Sequence, residues 1–162
     1  MKLFICLLLL FSTICQSDEG FVGYGVGMGP SASTFFAETK VAELGLRNFL
    51  WDGLYWQNKI GFWKDGSNDP TRSSSLYASS GIGLEVDLHP VELRSGSGLT
   101  IISSPDSYLG GRFPQFSTDF YAGVRDRHGN GIGLDYSHTS SAGIFDQNVG
   151  RDFLTLQLSM KW

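Results

Sequence analysis

His138 and Ser140 stand two positions apart in a stretch whose residues alternate between apolar and polar, and Asp152 follows after a short connection. On an extended strand, side chains two apart point to the same face. Asp152 shares its parity with Leu154, Leu156 and Leu158. If the two strands pair antiparallel across residues 141–151, all three polar groups meet on one wall. A serine, a histidine and a carboxylate so grouped can run nucleophilic acyl transfer. Ser140 would attack a carbonyl, His138 would take its proton, and Asp152 would hold the imidazole tautomer. The backbone N–H groups of Ser141, Ala142 and Gly143 are the nearest donors for the resulting oxyanion. Spacing alone leaves a second reading open, a polar cluster where strands leave an apolar layer. Triads are defined by geometry.

The elements that must position these residues show period two throughout, the mark of strands with two unlike faces. Val22, Tyr24, Val26 and Met28 alternate with Gly23, Gly25 and Gly27. Ala42, Leu44 and Leu46 alternate with Glu43, Gly45 and Arg47. Leu54, Trp56, Ile60 and Phe62 oppose Gln57, Lys59 and Gly61. The cleanest run sets Ala78, Ile82, Leu84, Val86 and Leu88 against Ser79, Gly81, Gly83, Glu85 and Asp87. A fifth, weaker strand is expected near Gly98–Ser103. Phe116, Phe120, Ala122 and Val124 then face away from Asp119, Gly123 and Arg125. After a turn at Arg127–Asn130 come Ile132, Leu134 and Tyr136, and finally Leu154 to Trp162. These make eight candidate strands in one domain of 162 residues.

The polar faces carry glycine and charges of both signs, Glu43, Arg47, Lys59, Glu85, Asp87, Arg125 and Asp135 among them. That content suits the narrow interior of a small barrel whose apolar face meets lipid. The expected fold is therefore all-β, an eight-stranded antiparallel transmembrane β-barrel. A terminal aromatic, Trp162, on an apolar-alternating last strand resembles the assembly signal of outer-membrane barrels. A soluble periplasmic barrel holding a lipid inside would need the opposite sidedness.

Lys2 followed by the apolar run Leu3–Phe11 and then small and polar residues reads as an export signal, too short to span a bilayer. Residues 1–17 are the expected cleaved signal peptide and 18–162 the barrel. Both cysteines, Cys6 and Cys15, fall in that segment, so a mature chain would hold no disulfide or Cys-based metal site. Its loss removes one lysine and no acid, taking the net charge from −4 to −5. No basic patch suited to nucleic acid is present. His89 and His128 lack ligand spacing and read as solvated loop residues. Asp126 and Asn148 are candidate supports of the site, loop capping being the other reading.

The sequence YSHTSSAGI, then Asn148, Gly150, Asp152 and Phe153, resembles the signature of PagL-type lipid A 3-O-deacylases. GVRDRHGNGIGLDYSH is also similar to the strand pair that precedes their active site. The resemblance covers about the last 45 residues; upstream, only length and strand count agree. It implies an outer-membrane barrel that hydrolyses the ester-linked hydroxyacyl chain at position 3 of lipid A, with no metal or cofactor. It matches Ser140 to the nucleophile, His138 to the base and Asp152 to the acid. The partner implied is lipid A, or lipopolysaccharide, in the membrane; monomer and homodimer both remain open. Two positions depart from the pattern. Ser141 stands where asparagine is usual, and Asp152 where glutamate is usual, one methylene shorter. An ångström of misplacement in a catalytic group costs about 10²-fold in rate. A non-enzymatic structural or adhesion barrel is the alternative reading.

Overall fold

A computed structural model describes residues 18–28, 39–66, 73–104, 108–144 and 150–162. Eight strands form a closed antiparallel barrel: β1 (Glu19–Met28), β2 (Lys40–Trp51), β3 (Leu54–Lys64), β4 (Ser75–Leu88), β5 (Val91–Ile102), β6 (Gln115–Arg125), β7 (Gly131–Ser140) and β8 (Arg151–Lys161). Each strand pairs with its chain neighbours, and β1 closes the ring on β8 with Val22 opposite Leu158.

Sidedness follows the alternation. Along β8, Arg151, Phe153, Thr155, Gln157 and Ser159 are buried inside, while Leu156, Leu158 and Met160 are exposed on the wall. The same holds for Leu44 and Leu134 outside and for Glu43 and Asp135 inside. A soluble lipid-binding barrel would have these faces reversed, so the expected sidedness holds and that rival does not. An apolar outer wall around a polar, filled interior is the arrangement a bilayer requires.

Three layers fill the interior. Near the short connections 52–53, 89–90 and 126–130, Glu19 accepts hydrogen bonds from Arg47, Arg94 and Arg125, the last two at 2.7 and 2.9 Å. Arg94 also pairs with Glu85 at 2.7 Å and Glu92 at 2.6 Å. In the middle, Lys59 lies 2.7 Å from Asp119 and 3.6 Å from Glu43. Toward the longer connections 29–39, 65–74, 103–114 and 141–150, the apolar residues Val41, Trp63, Ile102, Leu109 and Phe153 pack together, with Tyr77 against them. Inward glycines make room for this filling. A Cβ on Gly83 would lie 2.3 Å from Cζ of Tyr55, and one on Gly61 2.4 Å from Cζ of Tyr77.

Two expectations change. The fifth strand is not a short piece near Gly98–Ser103 but runs from Val91 to Ile102. Its outer face carries Ser95 and Ser97 between Leu93 and Leu99, which breaks the apolar stripe that reveals the other strands. Asp87, expected inside, is exposed, because β4 runs past the rim there; its carboxylate accepts the His89 N–H at 2.9 Å. Outer-membrane barrels keep short turns on the periplasmic side and longer loops outside. The end of the barrel holding residues 141–150 is by that rule the external one.

Candidate active site

β7 and β8 pair so that His138 stands directly opposite Asp152. Directly opposed residues hold their Cβ atoms roughly 4.5–5.5 Å apart, close enough for even the shorter acid to reach the ring. His138 Nδ1 lies 2.6 Å from Asp152 Oδ1, and the same oxygen accepts the Tyr136 hydroxyl at 2.8 Å. The departure from glutamate therefore leaves no gap: register supplies the reach that the missing methylene would have given. With Nδ1–H donating to the carboxylate, Nε2 carries the lone pair and is free to take a proton. Both side chains are partly exposed on the outer wall, 39% for His138 and 27% for Asp152.

The inward neighbours hold these outward groups in place. Arg151 and Phe153 flank Asp152 and point into the barrel. Phe153 packs with its ring centroid 5.5 Å from that of Trp63. Arg151 lies over Trp63 and Tyr108 and bonds Asp65 at 3.3 Å. On β7, the buried Ser137 and Thr139 bracket His138 in the same way. A strand anchored on both sides of a residue has no freedom to turn that residue inward.

Ser140 lies on the same outer face as His138, half-buried at the end of β7 and opposite Phe116 of β6. Among the described residues, no hydrogen bond joins Ser140 to His138. Side chains two apart on one strand have backbones separated by roughly 6–7 Å. Their contact thus depends on rotamers, and such bonds commonly tighten only with substrate bound.

Beyond Ser140 the chain turns sharply. Ala142 and Gly143 adopt φ of 51° and 81°, and the Ile144 N–H returns to the Ser141 carbonyl at 3.0 Å. Ser141 is fully buried. The backbone N–H groups of 141–143, expected as oxyanion donors, belong to this turn directly after Ser140. Asn148 lies outside the described residues. Gly150 has φ of 80°, donates its N–H to the Tyr108 carbonyl at 3.1 Å, and sits against the imidazole. A Cβ there would fall 2.5 Å from Cε1 and 3.1 Å from Nε2 of His138.

Tyr136 and Gly150 are the two contributors that residue types alone did not single out. Tyr136 shares the parity of His138, and both it and Gly150 stand in the stretch that resembles the family signature, without a contact assigned to either. Asp126, weighed as a support, belongs to the turn at the opposite end. It accepts the N–H groups of His128 and Asn130 and the Asn130 amide, and the amide bond holds its carboxyl below the ordinary range. His89 and His128 occupy turns at that same far end, exposed and out of reach of His138.

The family model for lipid A 3-O-deacylase (PagL) matches residues 34–161. The chain belongs to that family. Among solved structures, the barrel of the outer membrane enzyme PagL superposes with a TM-score of 0.67 at 19% identity, covering 89% of this chain and 99% of that one. Neisserial surface protein A follows at 0.66 and 12% identity, covering 89% and 95%. The Yersinia pestis attachment invasion locus protein Ail gives 0.51 at 12% identity, covering 90% and 99%. At these identities the likeness is one of fold. No curated protein sequence matches the chain. Membership in the PagL family, together with the wall described above, makes this an outer-membrane barrel of the lipid A deacylase type.

Proposed function

We propose that this protein is a serine esterase that removes the hydroxyacyl chain ester-linked at position 3 of lipid A. The observation that carries the reading is the His138–Asp152 hydrogen bond on the lipid-facing wall, at the external end of a barrel from a lipid A deacylase family. A soluble ester has no easy route to that surface, whereas a lipid in the outer leaflet meets it sideways.

In the proposed reaction, Ser140 Oγ attacks the ester carbonyl carbon while His138 Nε2 takes the hydroxyl proton. Asp152 keeps Nδ1–H in place and balances the charge of the imidazolium. The oxyanion receives backbone N–H bonds from the turn 141–143. Collapse expels the sugar 3-oxygen, which takes the proton from His138 and leaves the acyl group on Ser140. A water, deprotonated by the same imidazole, then releases the 3-hydroxy fatty acid. Acid, base and nucleophile are all side chains, and the scheme uses no metal or cofactor. Residues 1–17 are proposed to be the cleaved export signal.

The test is the mass of lipid A extracted from a Gram-negative host expressing the protein. Loss of one hydroxyacyl chain is expected with the wild type, and no loss with Ser140→Ala or His138→Ala, each recovered as a heat-modifiable barrel from the outer membrane. Unmodified lipid A from a correctly inserted wild-type barrel would turn the reading to a structural or adhesion protein.

A further inference from the structure

We infer that the barrel carries a second, non-hydrolytic lipid site on the wall opposite the catalytic pair. There Lys40 and Lys64 hold a phosphate of a lipid A molecule, and an apolar hollow beneath them holds one of its chains. The inference rests on the outer-membrane setting and not on catalysis, since no part of the His138–Asp152 pair borders this wall.

Like charges directly opposite each other destabilise a strand pair. Lys40 of β2 and Lys64 of β3 are such a pair, both exposed and both on the outward parity. On its other side Lys40 has Val26 of β1. Among the described residues no carboxylate pairs with either lysine, and the nearby Asp65 is bonded to Thr39 and Arg151 instead. A lone lysine at a membrane rim is satisfied by water. Two held side by side gain from a shared anion. Their two charges match a phosphate monoester, which carries about −1.5 to −2 at pH 7, better than the single charge of a phosphodiester lipid. Lipid A bears its phosphates as monoesters.

Register gives the depth of the pair. The row of neighbours through Ser140 runs over Phe116, Leu99, Ser80, Asn58 and Leu46 and reaches β1 at Gly20. Across β8, the row through His138 meets β1 at Met28. A row therefore descends from the external end as it passes from β7 round to β1. Strands about 4.8 Å apart and tilted by about 40° give a descent of about 3 Å per strand, or about 12 Å from Ser140 to Asn58. Lys64 stands beyond Asn58 on β3, toward the external end, and by the same geometry about 15 Å higher. The lysines and Ser140 thus share one level at the external rim. Beneath them the wall is hollow. Ala42 comes next after Lys40 on the outer face of β2, and Phe62 next to Lys64 on that of β3. Ala42 and Ala78 are the small side chains among Leu44, Ile60, Leu76 and Ile101, and the hollow has a volume of about 620 Å³. A chain hanging from a phosphate on the two lysines enters it directly.

Photolabelling of the full-length barrel in phosphatidylcholine vesicles tests the site, with Ser140→Ala used so that the lipid stays whole. Lipid A bearing a diazirine in its acyl chains is photolysed and adducts on Leu44, Phe62 and Leu76 are mapped. Each lysine is worth about fivefold toward an anionic lipid. Labelling of these residues should therefore fall about twentyfold with dephosphorylated lipid A, and equally with Lys40→Gln and Lys64→Gln combined, while the two Lys→Arg changes keep it. An equimolar amount of phosphatidylglycerol should not displace it. Labelling that ignores the phosphates, or that phosphatidylglycerol displaces, overturns the proposal. So does a wall that takes no lipid label and instead cross-links to a second barrel, which would put another copy of the chain there. The dephosphorylated lipid gives its answer without any lysine variant. Phosphate-dependent labelling beside a wild type that releases no chain would sink the deacylase reading alone. Chain release with labelling indifferent to phosphate would sink this site alone.

Discussion

One carboxylate oxygen of Asp152 accepts both the imidazole N–H and the Tyr136 hydroxyl. Asp152→Asn keeps the shape but offers His138 a donor where it needs an acceptor, so the ring settles in the wrong tautomer. A loss of ~10⁴-fold in kcat is expected from that kind of change, measured on purified barrel whose unfolding curve matches wild type. Tyr136→Phe removes one donor and leaves the pair, so a milder loss of about tenfold is expected, in line with one hydrogen bond to a charged group. Gly150→Ala tests positioning. Its Cβ would collide with the imidazole, and φ of 80° is strained for alanine. A fall of about 10²-fold is expected, with the imidazole NMR signals displaced. The sequence already put Ser140, His138 and Asp152 on one face, because strand parity is arithmetic. It put Tyr136 on that face too, but not its bond to Asp152 or the closeness of Gly150 to the imidazole, because those contacts depend on which residue lies opposite which.

At the scale of elements, register decides the site. A slip of one position between β7 and β8 would send Asp152 to the interior, and the anchors at Arg151 and Phe153 oppose that slip. The outer face of β8 must stay apolar for the strand to remain in the bilayer. Leu156, midway along β8 and exposed, is a direct probe of this. Leu156→Arg should destabilise the folded barrel by about 2–4 kcal/mol, read from denaturant unfolding in vesicles. Most strands were legible for the same reason that this substitution hurts: lipid on one side and charge on the other impose a strict alternation. β5 was legible only at its end. Ser95 and Ser97 face outward along its middle, and inward Arg94 and Glu92 belong to a charge cluster assembled from four other strands, which no local window can display.

For the whole molecule, the filled interior keeps the wall rigid behind the catalytic pair. Glu19 is fully buried under three arginines, which would otherwise face one another in a closed lumen. Glu19→Gln should cost about 3–5 kcal/mol, the range for breaking a buried ion pair by removing one partner, again by denaturant unfolding. The membrane sidedness of the whole was readable from composition, since glycine and mixed charge on one face leave little else for that face to line. The filling order of the interior was not, because it joins β1 to β5 and β6 across the barrel. The central claim is that Ser140, on the outer wall, is a nucleophile activated by His138. Purified barrel treated with an alkyl fluorophosphonate and mapped by peptide mass tests it directly. The account predicts a single adduct on Ser140, absent from His138→Ala; an unlabelled Ser140 in a barrel that still strips an acyl chain from lipid A would contradict it.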